Sequence, residues 1–450
     1  MITSTMWWLI PVIAAGLALI VAMFKYPKLW LGTFFFVLPI FLSDTGKGLT
    51  ASELAVGGFL MVSVVVWMAW MVGTHNVIIV RWWGDFLLLL FLALSFGNCV
   101  IAVLNGVPFV NWLAEWSIYL LVLYYFPIRH YFDTDERSIR QLLIIGALST
   151  VLMAAYSIYL YKVRMAANGA LYAYQLWSSR SVLLGPMFVM TMLIGIPAIY
   201  LLPSRRGKAL AFLLVLINAG ALALTFTRSL WIFFFVSLLV VAAYLRPLQN
   251  LRLGLSIVGI IAITYFAATL YNPRLTAIAV RIVKERIASS TQLSGGDYSF
   301  ETRTIEATDA SKAIARYPLG GNGIRAALVS WGPIEQIHWR KSFIHIGYIS
   351  LPFKLGIPLA LLMLWTLGLF AWRADRNGIW ECNHRALPPF TRSLLIGLMA
   401  NNTTLAIVIF FTGFFDQRWG MVMLAFILAA TSITNSQVMQ ARRHSTQQLS

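Results

Sequence analysis

Two histidines stand out as groups that could move a proton at neutral pH. His345 lies in the stretch 343–348 (FIHIGY), where a long polar segment gives way to an apolar run, and His338 lies seven residues earlier. An imidazole with its ordinary pKa of about 6.5 can accept a proton from a sugar hydroxyl. His345 is therefore a candidate general base. The other interpretation is an interfacial histidine that hydrogen-bonds a neighbouring helix.

Three arginines occupy positions from which they could meet a phosphate group. Arg228 lies in the tight turn 225–229, Arg180 borders an apolar run, and Arg303 opens a helical stretch. The planar guanidinium pairs two phosphate oxygens at once and keeps its proton. If these arginines converge, they would stabilise a departing pyrophosphate. For each arginine alone, a side chain reaching for lipid headgroups is the other explanation.

The sequence patterns favour neither a metal ion nor a nucleotide. Asp133 and Asp135 are paired carboxylates, but they precede a helical run, where acidic residues cap a helix start. The segments expected on the outer face hold no cluster of His, Asp and Glu at metal-ligand spacing. The chain also contains no P-loop, dinucleotide fingerprint or nucleophile elbow. We therefore expect no metal and no cofactor.

The composition indicates an integral membrane protein. The 450 residues are 60% hydrophobic and 11% charged, whereas a soluble domain carries roughly 25% charged residues. The apolar residues form continuous blocks of about 20, the length with which a helix crosses a bilayer. The net charge of +18 lies mostly in short loops between these blocks. It therefore orients the chain in the membrane, and we expect no nucleic-acid partner.

The apolar runs predict an all-α bundle of about twelve transmembrane spans. One of the thirteen visible runs, 29–42, is short enough to be half of a broken helix. The runs lie near residues 7–23, 29–42, 50–72, 84–104, 112–127, 138–163, 181–202, 208–225, 229–245, 254–271, 346–372, 393–413 and 419–436.

Lysine and arginine in the short loops predict the orientation, because such residues favour the cytoplasmic side. The long polar segment then falls outside; we expect helices near 275–287 and 301–316 in it, and a glycine turn at 320–323. Its mildly basic character suits phosphate-bearing lipids. The predicted parts are a transmembrane bundle (1–271), a partly helical outer loop (272–344), C-terminal transmembrane helices (345–436) and a cytoplasmic tail (437–450).

The order of these motifs resembles the O-antigen ligase and polymerase superfamily of bacterial inner-membrane glycosyltransferases. The motifs are the turn ending at Arg228, the Arg303-initiated helix that stops at 317–323 (YPLGGNG), and His345 at the start of the next span. Gly356, about three turns later, also fits the pattern. Over roughly residues 175–420 the chain is most similar to the O-antigen ligases. It departs from them at Ile346, where the family often has asparagine.

The resemblance implies a GT-C-like fold and a specific reaction. An O-antigen polysaccharide would move from undecaprenyl pyrophosphate to the lipid A-core of lipopolysaccharide, with inversion, on the periplasmic side of the inner membrane. The reaction would need no metal and no cofactor. His345, Arg228 and Arg303 match the essential residues of the family, as general base and pyrophosphate stabilisers. Arg180 and His338 are expected to bind substrate.

Other functions remain open alongside this one. An O-antigen polymerase and a protein oligosaccharyltransferase belong to the same superfamily. A multi-span transporter of lipids or glycans is the alternative from another class, and it should carry charged residues or broken helices near the bilayer midplane. The spans are nearly free of charge, apart from Glu53 and Glu115 near span edges. The near absence of charge within the spans favours a glycosyltransferase over a transporter.

The orientation can be tested with reporter fusions at Gln440 and Gly295. We expect the first fusion to report a cytoplasmic location and the second an outside location, because the basic short loops share the side of the tail. Alkaline phosphatase and green fluorescent protein are suitable reporters, since each is active on only one side. If both sites report one compartment, His345 no longer faces the side that this function requires.

Overall fold

The structure, a computed structural model, describes residues 9–41, 51–133, 135–168, 184–291, 298–332, 336–384 and 387–447. Most of them are helical. The helices are α1 (Leu9–Lys25), α2 (Pro27–Phe41), α3 (Ala51–His75), α4 (Trp83–Leu104), α5 (Phe109–Leu120), α6 (Tyr125–Phe132), α7 (Glu136–Asn168), α8 (Gly185–Leu201), α9 (Arg205–Ala223), α10 (Arg228–Tyr244), α11 (Pro247–Tyr271), α12 (Pro273–Thr291), α13 (Tyr298–Arg316), α14 (Gly347–Leu355), α15 (Ile357–His384), α16 (Pro389–Phe411) and α17 (Arg418–Gln447). Short 3₁₀ turns at Leu121–Tyr124 and Phe414–Asp416 precede α6 and α17.

The predicted helical membrane bundle is confirmed in its general form. Eight stretches of the described chain are helical, long and apolar enough to cross a membrane. They are Gly57–His75, Trp83–Leu104, Phe109–Phe132, Glu136–Ala166, Arg205–Ala223, Ile357–Asn377, Pro389–Phe411 and Arg418–Gln440. Three shorter apolar helical stretches, Gly185–Leu201, Arg228–Tyr244 and Pro247–Ile263, accompany them. The figure of about twelve spans and the GT-C-like fold stay predictions.

The centre of the bundle is formed by α16 and α17, whose apolar stretches are mostly buried. Polar side chains connect α16 to its neighbours: Asn401 donates to the carbonyl of Met190 in α8 (3.1 Å), and Thr404 donates to Ser237 in α10 (2.6 Å). In hydrocarbon such groups need partners within the protein. The outer helices instead expose leucines and isoleucines, as expected of side chains that face lipid.

The predicted single span 346–372 was wrong, because the chain breaks at Gly356. This residue ends α14 with φ +82°, and α15 begins directly after it. The turn that follows α13 docks into the break: Ile357 N–H donates to Pro318 O (2.8 Å), and Gly323 N–H donates to Lys354 O (3.0 Å). A Cβ at position 356 would overlap the carbonyl oxygen of Leu319. Glycine is therefore required by both conformation and space.

One side chain of α4 fastens the same turn to the bundle. The Asn98 amide donates to the carbonyls of Gly320 and Lys354, both at 3.1 Å, and its oxygen accepts from Ile324 N–H at 2.7 Å. The donor and acceptor groups of this amide therefore all form hydrogen bonds, with the loop after α13 and with the end of α14. The glycine turn predicted at 320–323 is confirmed, and it is a docked element of the fold.

A β-hairpin corrects the all-α prediction for the outer loop. Strands β1 (Leu328–Gly332) and β2 (Ile337–Lys341) pair antiparallel, with Trp331 opposite His338. Leu328 is buried in an apolar cluster with Ala310 of α13 and Ile344. The two helices expected in the loop are present as α12 and α13. The loop is therefore partly helical, as expected, with a small sheet added.

Gly356→Ala should destabilise the protein by about 2 kcal/mol or more, because alanine meets both a left-handed backbone and the Leu319 carbonyl. The measurement is thermal unfolding of the purified protein in detergent. Gly368→Ala in α15 is the matched control, since a Cβ there has no neighbour within 4 Å. Equal unfolding temperatures for the two variants would contradict the role of the break.

Candidate functional site

The site is built around a carboxylate that holds His345 at two points. Glu306 lies on α13, and its side chain is 1% exposed. Its Oε2 accepts a hydrogen bond from the backbone N–H of His345 (3.0 Å) and lies 2.9 Å from Nδ1 of the imidazole. Its Oε1 forms an ion pair with Lys341 at the end of β2. Thus α13, β2 and the segment before α14 meet at one carboxyl group.

This contact selects the tautomer of His345. An ionised carboxylate only accepts hydrogen bonds, so Nδ1 must carry the proton. In the neutral ring the lone pair is then on Nε2, which has no hydrogen-bond partner among the described residues. The side chain is 37% exposed, and Phe343 meets the ring edge-on at 5.0 Å. The neutral ring of His345 therefore presents an accessible base at Nε2, the arrangement that general-base catalysis needs.

The environment keeps Glu306 ionised. Burial alone raises the pKa of a carboxyl group, but the hydrogen bonds and charge of His345 and the contact with Lys341 outweigh it and lower the pKa of Glu306 to about 2. The group therefore carries its negative charge throughout the range in which an imidazole titrates. A fixed negative charge beside Nδ1 stabilises the imidazolium that forms when Nε2 takes a proton.

A cavity of about 660 Å³ lies between α13 and the end of α16, and its lining includes Ile346, the residue after His345, but neither His345 nor Glu306. Arg303 and Lys312 are its cations, and Ile346, Phe410 and Phe411 contribute apolar wall. The remaining lining residues are Thr304, Ala307, Thr308, Ser311 and Ala315. Most of the lining is apolar, with cations and hydroxyl groups on the side of α13. Such a cavity suits a molecule with an apolar chain and an anionic head.

The predicted site residues come together in part. Arg303 lies one turn before Glu306 on α13, so the cavity and the carboxylate share a helix. Arg228 begins α10 but is not among the described residues that line the cavity. It is connected to the cavity through Phe233, whose ring lies 5.4 Å from that of Phe411. Arg228 therefore begins a helix that contacts the cavity wall one and a half turns later, about 7.5 Å further along its axis.

The other two predicted residues have different outcomes. Arg180 lies outside the described residues, so its role stays a prediction. His338 lies on β2, with its ring 5.1 Å from that of Trp331. In the described structure it does not contact Glu306. The geometry therefore favours His345 over His338 as the base.

Sequence reasoning missed Glu306 and a buried cluster of charges. Lys354 is 1% exposed and lies 2.5 Å from Glu115 Oε1 and 2.7 Å from Asp416 Oδ1. Arg325 reaches the other oxygen of Glu115 at 3.3 Å, and Ser350 donates to Asp416 at 2.9 Å. The expectation of spans nearly free of charge apart from Glu53 and Glu115 therefore overlooked Lys354, which lies within the predicted span 346–372 and pairs with Glu115. The detectable signal was a lysine within the apolar stretch 346–372.

The cluster joins four parts of the chain. Glu115 belongs to α5, Lys354 to α14, Asp416 to the turn before α17, and Arg325 to the loop after α13. Two cations and two carboxylates balance one another, which is the condition for keeping charges out of water. In the described residues, no group of three or more His, Cys, Asp and Glu side chains is placed to hold a metal ion. Independence from metal stays a prediction.

Glu306→Gln should lower turnover by about 10²–10⁴-fold, the range of acid–base catalysis, with little change in substrate binding. The amide loses the negative charge and no longer requires a proton on Nδ1. The measurement is steady-state kinetics of the reaction proposed below. Asp309→Asn on the same helix is the control, because Asp309 meets Ser330 and Lys312 instead of His345. Equal losses in both variants would contradict a role specific to His345.

The same substitution has a consequence for stability. The pKa of Glu306 lies below its ordinary value of 4.5, so ionisation of this group stabilises the folded state above pH 4.5. That contribution is lost as the pH falls from 4.5 toward 2. The unfolding temperature of the wild type should therefore exceed that of Glu306→Gln at pH 7, and the difference between the two temperatures should be smaller at pH 3.5. A difference that grows on acidification would contradict the ion pairs described.

Comparison with known proteins does not assign this chain to a family. No protein-family profile matches it, and no curated protein matches it closely enough to count as a relative. What is shown is a helical membrane protein with several apolar helices that could span a bilayer. The chemistry of the site is therefore argued from Glu306, His345 and the neighbouring cavity.

Proposed function

We propose that this protein is an inverting glycosyltransferase of the O-antigen ligase type. It moves a glycan from undecaprenyl pyrophosphate to the lipid A-core acceptor on the periplasmic side of the bacterial inner membrane. The observation that carries the proposal is the imidazole of His345, oriented by Glu306 of α13, together with a largely apolar cavity that is lined by Arg303 of the same helix and by Ile346, the neighbour of His345. A base, an anion-binding cation and a place for a lipid chain are the three parts that this reaction needs.

The reaction is a single displacement. Nε2 of His345 takes the proton from the acceptor hydroxyl while its oxygen attacks the anomeric carbon of the donor. The bond from that carbon to the pyrophosphate oxygen breaks on the opposite face, so the configuration inverts. Arg303 and Arg228, with Arg180 as a further candidate, neutralise the charge that develops on the pyrophosphate. Such preorganised charges commonly supply the largest part of the stabilisation.

Glu306 gives the step its electrostatic balance. When His345 accepts the proton, the imidazolium forms beside a carboxylate that is already ionised and buried. The positive charge is therefore compensated where it appears, and the ring stays in place because Oε2 also binds the backbone N–H of the same residue. Pyrophosphate is a competent leaving group, so no general acid is required.

The cavity suggests where the lipid chain of the donor lies. Phe410, Phe411 and Ile346 form its apolar side. The aromatic run 34–36 does not offer such a wall, because Phe34 and Phe35 are buried in the core and pack against Tyr124 and Phe426. The apolar wall at the end of α16 supports lateral entry of a polyprenyl chain from the membrane.

A transporter is the second candidate, and two observations favour it. Helix breakage at Gly356 and the buried charges around Lys354 are features that transporters carry near the bilayer midplane. In the described structure, however, Lys354 is enclosed by Glu115 and Asp416, and Arg325 completes the charge balance. A cluster with internally paired charges resembles a structural clamp more than an ion-binding site. The enzyme therefore remains the better supported function.

The direct test is transfer by the purified protein in nanodiscs. We expect it to join an undecaprenyl-pyrophosphate-linked glycan to lipid A-core in EDTA, without added metal or nucleotide. Formation of longer lipid-linked glycan would instead indicate a polymerase, and a glycoprotein product an oligosaccharyltransferase. Glycan movement into sealed vesicles without any covalent product would indicate the transporter.

His345→Ala should reduce transfer by about 10²–10⁴-fold while donor binding is retained, because the cations and the apolar wall are unchanged. Binding can be followed with a fluorescent donor analogue in the same nanodiscs. His338→Ala is the control and should keep most of its turnover. Loss of activity in His338→Ala with an active His345→Ala would transfer the role of base to His338.

Arg303→Lys should lower transfer by about 10²-fold, as removal of one preorganised donor does, because lysine keeps the charge and loses the planar fork. Arg316→Lys, at the end of the same helix, should be nearly silent. Arg316 is exposed and does not line the cavity. Equal effects would mean that general surface charge, and not a shaped anion site, supports the reaction.

A further inference from the structure

We propose that the outward face of the β1–β2 hairpin binds the glycan chain of the substrate, with a preference for acidic sugars. The face consists of Val329, Trp331, His338 and Arg340. This inference rests on the proposed glycan transfer, and it assigns to the hairpin the recognition of sugars beyond the reacting one.

The strand register defines the composition of this face. Residues alternate between the two sides of a strand, and directly paired residues share a side. Along β1, Leu328 and Ser330 are 4% exposed, whereas Val329 and Trp331 are 56% and 37% exposed. Val329 pairs with Arg340 and Trp331 pairs with His338. These four side chains therefore form one exposed patch.

The opposite side of the hairpin fixes the direction in which the patch faces. Leu328 packs into the apolar cluster with Ala310 of α13. Ser330 donates to Asp309 of the same helix at 3.1 Å, and Lys341 pairs with Glu306. Because Glu306 also binds His345, the hairpin and the base are held by one carboxylate. The patch therefore belongs to an element that is anchored to the same carboxylate as the imidazole.

The chemistry of the patch suits a saccharide. A sugar ring presents an apolar C–H face that packs on an aromatic ring, and Trp331 offers such a ring in water, steadied by His338. Arg340 can donate paired hydrogen bonds to a carboxylate or phosphate. Four side chains are too few for a stable protein interface, which buries about 800 Å² on each partner.

Charge makes acidic sugars the favoured occupant. Arg340 is the cation of the patch, whose four residues include no acid, whereas the neighbouring Arg325 and Lys341 are already paired with Glu115 and Glu306. Glu335, in the sequence between the strands, lies outside the described residues. A cationic face with one exposed tryptophan complements an anionic glycan. Tryptophan and arginine also suit contact with the membrane surface. The experiments below distinguish glycan binding from membrane contact.

The binding test uses the full-length protein in nanodiscs with lipid-free hexasaccharides. The acidic probes are those of alginate, polygalacturonate and hyaluronan, and maltohexaose is the neutral probe; calorimetry measures affinity. We expect at least one acidic probe to bind, and Trp331→Ala and Arg340→Ala each to weaken binding by about tenfold, the size of one lost contact. Trp365→Ala, an exposed tryptophan of α15, and Arg316→Ala are the matched controls and should bind as the wild type does.

A second arm separates recognition from folding. With a long-glycan donor, Trp331→Ala should raise KM, and with a single-repeat donor both KM and kcat should stay at the wild-type values. A merely structural role for Trp331 would lower turnover of both donors. Binding of the hexasaccharides without any transfer would sustain the glycan surface and refute the transferase. Transfer by a protein that binds none of the acidic probes would refute the glycan surface alone.

Lipid contact is measured directly. Trp331→Phe identifies the part of the fluorescence that comes from this residue, and brominated lipids quench tryptophans that touch the bilayer. We expect no quenching of that part. Strong quenching would place the patch in the membrane interface and overturn the glycan surface.

Discussion

The buried ammonium of Lys354 is the constraint on which the arrangement of α14 and of the loop docked against it depends. Taking an ion out of water costs several kcal/mol, and only well-placed opposite charges offset it. Glu115 and Asp416 supply them from α5 and from the turn before α17, and the same residue's carbonyl accepts hydrogen bonds from Gly323 and Asn98. Removal of either carboxylate would leave this cluster with one positive charge in excess. The position of α14, and of the histidine before it, therefore depends on helices far away in the chain.

Two carboxylates with similar surroundings have different tasks. Glu115 neutralises permanent cations, so its contacts describe a closed structural unit. Glu306 also meets Lys341, but it shares one oxygen between the backbone and the ring of His345, whose side chain is partly open to solvent. The first arrangement fixes helices, and the second fixes the direction of a group that can gain and lose a proton. This contrast is the main reason for assigning chemistry to Glu306 and His345.

Features set by local chemistry could be predicted from the sequence. Helix α13 ends before Pro318, which lacks a backbone donor, and the apolar runs correspond closely to helices. Features set by contacts between distant segments could not. Glu306 lies 39 residues from His345, and no local pattern marks it as a partner. The break at Gly356 was hidden by hydropathy that continues across it, and the hairpin by its short length. Of the candidate site, His345 and Arg303 were proposed from the sequence, whereas Glu306, which positions His345, was missed.

The break at Gly356 also means that α14 and α15 meet different requirements of length and direction. With 28 residues, α15 is about 42 Å long, which exceeds the roughly 30 Å of a hydrocarbon core. It can therefore cross the bilayer without α14. The nine residues of α14 form a helix of about 13.5 Å, which does not need to cross the membrane. The direction of α14 can therefore be set by its polar contacts. This allows a histidine just before the helix and a lysine within it, although the hydropathy of the stretch resembles the beginning of a transmembrane helix.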